Sequence, residues 1–153
     1  TTKYGNRRTS GLATVLGRII PAVRMTQGGK WVKTRAQDYL ANQKWLAWEF
    51  KQQLPEMPKH TPIGVEIVFV RGWLFRGDLD NLAKAVLDAL QLAGVIGDDA
   101  YVVRLMARKR PNKEAEDIAT IEVWEESFDN GLTEVQRAVL ILGQPIVVAE
   151  GKP

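Results

Sequence analysis

Three aspartates and a lysine carry the chemistry this chain can offer. Asp78 and Asp80 stand two residues apart, Lys84 follows Asp80 by four, and Asp99 completes a second acidic pair, Asp98–Asp99. Hard divalent cations such as magnesium take oxygen ligands and usually keep several waters, so a few carboxylates at one point suffice to hold one. With a phosphate as a further ligand, such a site activates water and steadies both the attacking and the leaving oxygen. The expected metal ligands are therefore Asp78, Asp80 and Asp99, with magnesium as the cation or manganese in its place. Lys84 would neutralise charge on phosphoryl oxygens or keep a carboxylate ionised. Asn81 would orient ligands or cap a helix. Spacing alone leaves plainer roles open. One of Asp78 and Asp80 can serve as an N-cap. Asp80–Lys84 and Lys84–Asp88 can be surface ion pairs worth about 0.3 kcal/mol. Asp98–Asp99 can be turn residues after Gly97.

The elements around these residues follow from periodicity. Leu79, Leu82, Val86, Leu90 and Ala93 recur at three- and four-residue steps and predict a buried helical face, with Gly94 as the stop. Asp80, Lys84 and Asp88 lie along another face of the same helix. Ile63, Val65, Ile67 and Phe69 alternate and predict a strand; residues 71–77 then read as a lead-in loop. Further strands are expected over 12–20, where Pro21 intervenes, and over 101–109 and 118–125. A helix is expected from about 36 to 53, capped by Thr34 and ended by Pro55. Residues 54–62 hold three prolines and the only histidine, His60, which reads as a surface residue of a rigid loop. Gln27–Gly28–Gly29 marks a turn between two short extended pieces. Thr133–Glu134–Val135–Gln136 is a capping-box pattern that opens a last helix. The return from the helix is tight. A helix from 80 to 93 spans roughly 20 Å, and the five steps from 94 to 99 recover at most about 17 Å. Asp99 regains the level of Asp80 only if the loop doubles back along the helix; otherwise the third carboxylate comes from a partner subunit.

At 153 residues the chain is expected to form one domain, 1–153, with a loose basic tail over 1–10 and a C-terminal helix and tail over 129–153. Strands and helices are mixed, with hairpin-like neighbours. The expected class is α+β or mixed α/β: a small mixed sheet with flanking helices and not a doubly wound sheet. There is no Cys, which excludes disulfides, thiolate metal sites and Cys nucleophiles together. No apolar run reaches the roughly 18 residues of a membrane span, and no signal-peptide pattern is visible, so no membrane partner is expected. Charge is unevenly spread. Residues 1–51 balance at +8 and the remainder at −5, which suggests an anionic partner for the first third or else a solvated basic surface. Lys30, Lys33 and Arg35 surround Trp31, a grouping that can grip phosphate and stack on an unpaired base; Trp31 tucked onto the core is the alternative. A calcium loop counted from Asp78 fails, because Leu82, Ala83 and Ala89 fall where oxygen, Gly and Glu are required. No phosphate-cradling Gly-rich loop appears.

The string Asp78–Leu79–Asp80–Asn81–Leu82–x–Lys84–x–x–x–Asp88–Ala89–Leu90, followed by Gly94–Val95–Ile96–Gly97–Asp98–Asp99–x–x–Val102, resembles the RusA family of Holliday-junction endonucleases. These are typically small proteins of phage and prophage origin. The match is dense over 76–109; Pro21–Ala22–Val23–Arg24 and Gly28–Gly29–Lys30–Trp31 extend it weakly. The resemblance implies a homodimeric, magnesium-dependent nuclease of the bacterial host cytoplasm, acting in DNA recombination and repair. It would nick four-way DNA junctions symmetrically and leave 5′-phosphate and 3′-hydroxyl ends. Asp78, Asp80 and Asp99 match the family's catalytic, metal-binding aspartates, and Lys84 its essential lysine. Arg24, Lys30, Lys33, Arg35, Arg76 and Lys109 are the expected DNA contacts. Two features depart from the pattern. Gly77 stands where a basic residue precedes the first aspartate, with Arg76 one step earlier, and the segment from Asp129 onward has no counterpart.

Two other readings compete with this one: a non-catalytic DNA-binding protein whose acids are structural, and a metal-dependent phosphohydrolase of small substrates. Magnesium-dependent scission of a four-way junction, compared with linear duplex of the same sequence, separates all three. If Arg24, Lys30, Lys33 and Arg35 contact phosphates, neutralising all four flattens the log–log salt dependence of DNA binding by roughly three to four units while the fold stays intact. An unchanged slope would move the basic face to Arg104, Arg108, Lys109 and Arg110.

Overall fold

A computed structural model of the chain describes residues 8–23, 34–72, 76–112 and 116–126, together with Gly143. Strand β1 (Ser10–Leu16) is followed by helix α1 (Thr34–Gln53), strand β2 (Ile63–Arg71) and helix α2 (Leu79–Leu92). A one-turn 3-10 helix (Asp99–Tyr101) then leads into β3 (Val102–Pro111) and β4 (Ile118–Glu125). The four strands form one sheet in the order β1-β4-β2-β3. β4 is antiparallel to both β1 and β2, and β3 runs parallel to β2. The sheet is therefore mixed, with helices against it, as the sequence pattern predicts.

Period two builds the core. Ala13 and Val15 of β1, Ile63, Val65, Ile67 and Phe69 of β2, and Ala119, Ile121 and Val123 of β4 are buried on one face. They meet Tyr39, Leu46 and Phe50 of α1 and Leu82, Val86 and Leu90 of α2 in one cluster. The two helices also meet each other directly. The buried Gln43 donates from Nε2 to the Ala85 carbonyl at 2.8 Å, which satisfies a polar group inside the core.

Three expectations change. β1 ends at Leu16, short of residue 20, because Gly17 takes φ +135 and turns the chain. Its N–H donates to the Asp117 carbonyl at 2.8 Å. Arg71 belongs to β2 and not to the loop after it. The consecutive strands β3 and β4 do not pair as a hairpin, since β2 lies between them. The reason is burial. β4 hides an unbroken inward row and needs a partner on each side. β3 carries Arg104, Arg108, Lys109 and Arg110 and suits an edge, where charged side chains discourage further strand pairing. The hairpin expected around 27–29, the last helix and the C-terminal tail lie outside the described residues. Among the described residues, no helix is long and apolar enough to cross a membrane.

Gly64 of β2 sits opposite Trp124 of β4 in the antiparallel register. A Cβ at Gly64 would lie 2.3 Å from the indole Cε2. The indole is pinned by its Nε1 donating to Glu126 Oε2 at 2.6 Å, so it has little room to withdraw. Gly64→Ala is expected to cost about 1–3 kcal/mol of stability in denaturant unfolding, as overpacking does.

Candidate active site

The approach to α2 is set by Gly77. Its φ of +85 is open to glycine and strained for other residues, and a Cβ there would meet Pro21 Cγ at 2.5 Å. Lys109 Nζ donates to the Gly77 carbonyl at 2.5 Å, and the Ala22 N–H donates to the Asn81 carbonyl at 3.0 Å. These contacts explain the departure at this position. A side chain here would collide with the segment that docks on the helix start, so the nearest basic residue stands at Arg76.

Asp78 occupies the N-cap position with extended backbone, φ −73 and ψ 142, and its carboxylate makes no capping hydrogen bond. Its carbonyl accepts from the Leu82 N–H at 2.9 Å. Asp80 lies in the first turn, where its Oδ1 accepts from the Asn81 N–H at 2.9 Å. Both side chains are exposed. The helix N-terminus carries partial positive charge and favours carboxylates there. As hard oxygen donors of which Asp78 is not spent on capping, the pair suits a hard cation.

One turn on, Lys84 is the hub of a second group. Its Nζ lies 3.0 Å from Asp88 Oδ1 and 3.2 Å from Asp99 Oδ2. Asp88 Oδ2 also accepts from Tyr39 Oη at 3.0 Å, which ties α1 into the network. The hydrogen bonds to Asp88 and then Asp99 raise the Lys84 pKa. Burial, followed by the charge of Asp88, pushes the Tyr39 phenol far up, so it stays a donor. Asp99 is presented by the 3-10 helix. Asp98 caps that helix, its Oδ1 accepting from the Ala100 N–H at 2.8 Å.

The return loop thus brings Asp99 to Lys84, which also pairs with Asp88. Among the described residues, no three acidic or histidine side chains gather closely enough to hold a metal ion. Carboxylates brought together repel one another, and the Lys84 ammonium compensates Asp99. Asp78 and Asp80 form one half of the site, and Lys84, Asp88 and Asp99 the other.

Of the expected DNA contacts, Arg35 and Arg76 line one cavity of about 350 Å³ together with Arg18. Lys109 is held at Gly77, beside Asp78. Arg24, Lys30 and Lys33 lie outside the described residues. Arg18 carried no signal beyond its place after β1. Arg71 carried one, because the alternation through Ile63–Phe69 reaches it on the next inward step. His60 is exposed, as expected, but sits at φ 57 with its Nδ1 2.5 Å from Tyr101 Oη. The Tyr39–Asp88 tie joins residues 49 apart, a contact that spacing within one helix does not show.

The model of the family Endodeoxyribonuclease RusA matches residues 20–123, a span that holds the whole of this site. The chain belongs to the RusA endodeoxyribonuclease family. That family acts on Holliday junctions and other branched DNA. No curated protein matches the chain.

The raised pKa of Lys84 fixes a pH dependence. A cation with a raised folded pKa contributes stability that is complete below its ordinary value of 10.5 and is lost as pH climbs through the raised value. The Lys84 ammonium therefore stays charged throughout the neutral range. Asp88→Asn removes the first cause of the shift and should move the Lys84 titration midpoint down, as read from its Cε resonance by NMR. An unmoved midpoint would mean that Asp88 does not hold Lys84 in solution.

Proposed function

We propose that this chain is a magnesium-dependent endonuclease that resolves four-way junctions by paired, symmetric nicks, acting as a homodimer in the host cytoplasm. The single observation that carries this reading is the pair Asp78 and Asp80 at the start of α2, one turn from a charged Lys84, within a RusA family match. Asp78 and Asp80 would hold the cation, with Asp99 joining them by exchanging its contact with Lys84 for the metal; when bound, the cation supplies an activated water and charge neutralisation at the phosphate.

The chain's own residues account for the rest. The left-handed turn at Gly77 and the backbone of α2 set the direction of Asp78 and Asp80. Lys84, kept protonated by Asp88 and Asp99, offers positive charge to the phosphoryl oxygens of the strand being cut. Tyr39 restrains Asp88, and through it Lys84, so the ammonium is held before substrate arrives. Arg18, Arg35 and Arg76 supply positive charge on the Asp78 side, where a DNA backbone needs it. Two equal sites related by a two-fold axis suit two symmetric cuts in a junction that has two-fold symmetry itself. One protomer acting alone would have to leave and rebind between cuts, by which time a nicked junction has relaxed.

Asp80→Asn tests the assignment. The amide keeps the shape and removes the charge. Cleavage of a synthetic four-way junction should fall by orders of magnitude, while junction binding persists or tightens in the absence of metal. Thermal stability should hold or rise, because clustered carboxylates repel in the folded state. Asp80 lies in the first turn and does not cap the helix, so if its role were purely structural the loss of its charge would leave cleavage near normal. That outcome would remove the metal-site assignment.

A further inference from the structure

Arg71 heads the fully buried side chains, at 2% exposure. Its Nε and Nη2 have no hydrogen-bond partner among the described residues. Its ionic contact is with Asp117, whose Oδ2 lies 3.7 Å from Nη2, beyond hydrogen-bond range. The other oxygen of Asp117 accepts from the Gly72 N–H at 3.1 Å. A buried guanidinium with unmet donors is costly to keep. Its neighbours add to the cost. Burial is the main cause that lowers the Arg71 pKa; Asp117 opposes it, and the charges of Arg18 and Arg76 reinforce it.

Arg18 and Arg76, with Arg35, line the cavity of about 350 Å³ described above, whose one acid is Asp38. Among the described residues, four guanidinium groups in this corner therefore face two carboxylates, Asp38 and Asp117. The corner lies where β1 and β2 both end, next to the candidate carboxylates. Pro21 forms part of the cavity wall and is also the residue that packs against Gly77, immediately before Asp78. The positive surplus and the acidic half of the site are thus separated by a single residue.

We infer that this cavity binds one phosphate group, held by Arg18, Arg35 and Arg76 with the buried Arg71 adding its charge, and that it seats the backbone of the strand being cut beside Asp78. Guanidinium groups match phosphate oxygens in pairs. A phosphate would compensate a surplus of charge that the described protein groups leave standing. The phosphate can belong to an intact diester of the strand or to the 5′ end left by a nick. The inference rests on the nuclease reading for the identity of the strand, and on the arginines alone for the phosphate.

Inorganic phosphate is the first probe, titrated against the full chain with thermal unfolding as the readout and sodium chloride at matched ionic strength as the control. Phosphate should raise the Tm saturably, and chloride should not. Arg18→Gln, on an exposed residue, should abolish most of the shift. Arg71→Met keeps the length and removes a buried guanidinium whose Nε and Nη2 find no hydrogen bond among the described residues, so its Tm without phosphate should hold or rise while the phosphate shift shrinks. A merely structural Arg71 would instead lower the Tm and leave the shift intact. The second probe is a four-way junction with one neutral methylphosphonate linkage, moved stepwise past the cut. One position should lose roughly 10- to 100-fold in cleavage, the size of one charge-assisted contact, and that loss should vanish in Arg18→Gln. If the effect appears only with a 5′-phosphorylated nicked product as competitor, the terminal phosphate is the ligand. Wild-type phosphate shifts in both variants would overturn the inference. The shift is also expected in Asp80→Asn, so a failure of the nuclease reading leaves the anion site separately measurable.

Discussion

The parallel pairing of β2 with β3 is the constraint on which the site depends. The register runs from Ile63 opposite Val102 to Arg71 opposite Pro111. A parallel partner must begin where β2 begins, so the chain has to travel back the length of the strand before β3 can start. α2 makes that journey, and its 14 residues cover about 21 Å. Its start therefore lies where β2 ends, and its finish where β3 begins. Asp78 and Asp80 fall at the first place. Asp98 and Asp99 belong to the second, and the long Lys84 side chain links Asp99 back to the middle of the helix. The two halves of the site follow from the direction of one strand.

Charge segregates around this frame. Carboxylates occupy the start of α2 and the turn before β3, and arginines occupy the corner where β1 and β2 end. Gly77 lies between the two sets. Its left-handed backbone and its closeness to Pro21 exclude a side chain, which lets the 20–23 segment seat against α2 and bring Arg18 toward Arg76. The Lys84 hub is of a different kind. It is open to solvent, and its ion pairs are weak as contributors to stability. What the network contributes is position, since Tyr39 anchors Asp88 from a neighbouring helix and Asp88 and Asp99 restrain the ammonium from two sides.

β3 shows how an edge position and function coincide. Among the described residues, β2 alone pairs with it. Val103, Leu105 and Met106 are exposed along it, interleaved with Arg104, Arg108 and Arg110. Lys109 points inward with the core side of the register and reaches Gly77. A strand with so many cations does not suit the centre of a sheet, where each would need a buried counterion. On the edge the same residues stay solvated and remain near the site.

Local pattern determined most of the elements. The alternation of Ile63, Val65, Ile67 and Phe69, the three-four spacing from Leu79 to Leu90 and the stop at Gly94 are properties of neighbours in the chain, and they set the strands, the helix and its buried face. The acids and the lysine were legible for the same reason, since their types and spacing lie within one short segment. Strand order was not legible. It depends on which buried rows meet across the sheet, and a turn between β3 and β4 reads the same whether or not they pair. The Tyr39–Asp88 tie, the approach of Pro21 to Gly77 and the arginine corner were also decided by tertiary structure alone. Each joins residues far apart in sequence, and it is the packing of helices on the sheet that brings them within reach. Arg71 marks the boundary between the two. Periodicity points it inward, but only the fold shows that its Nε and Nη2 arrive there without a hydrogen-bond partner among the described residues.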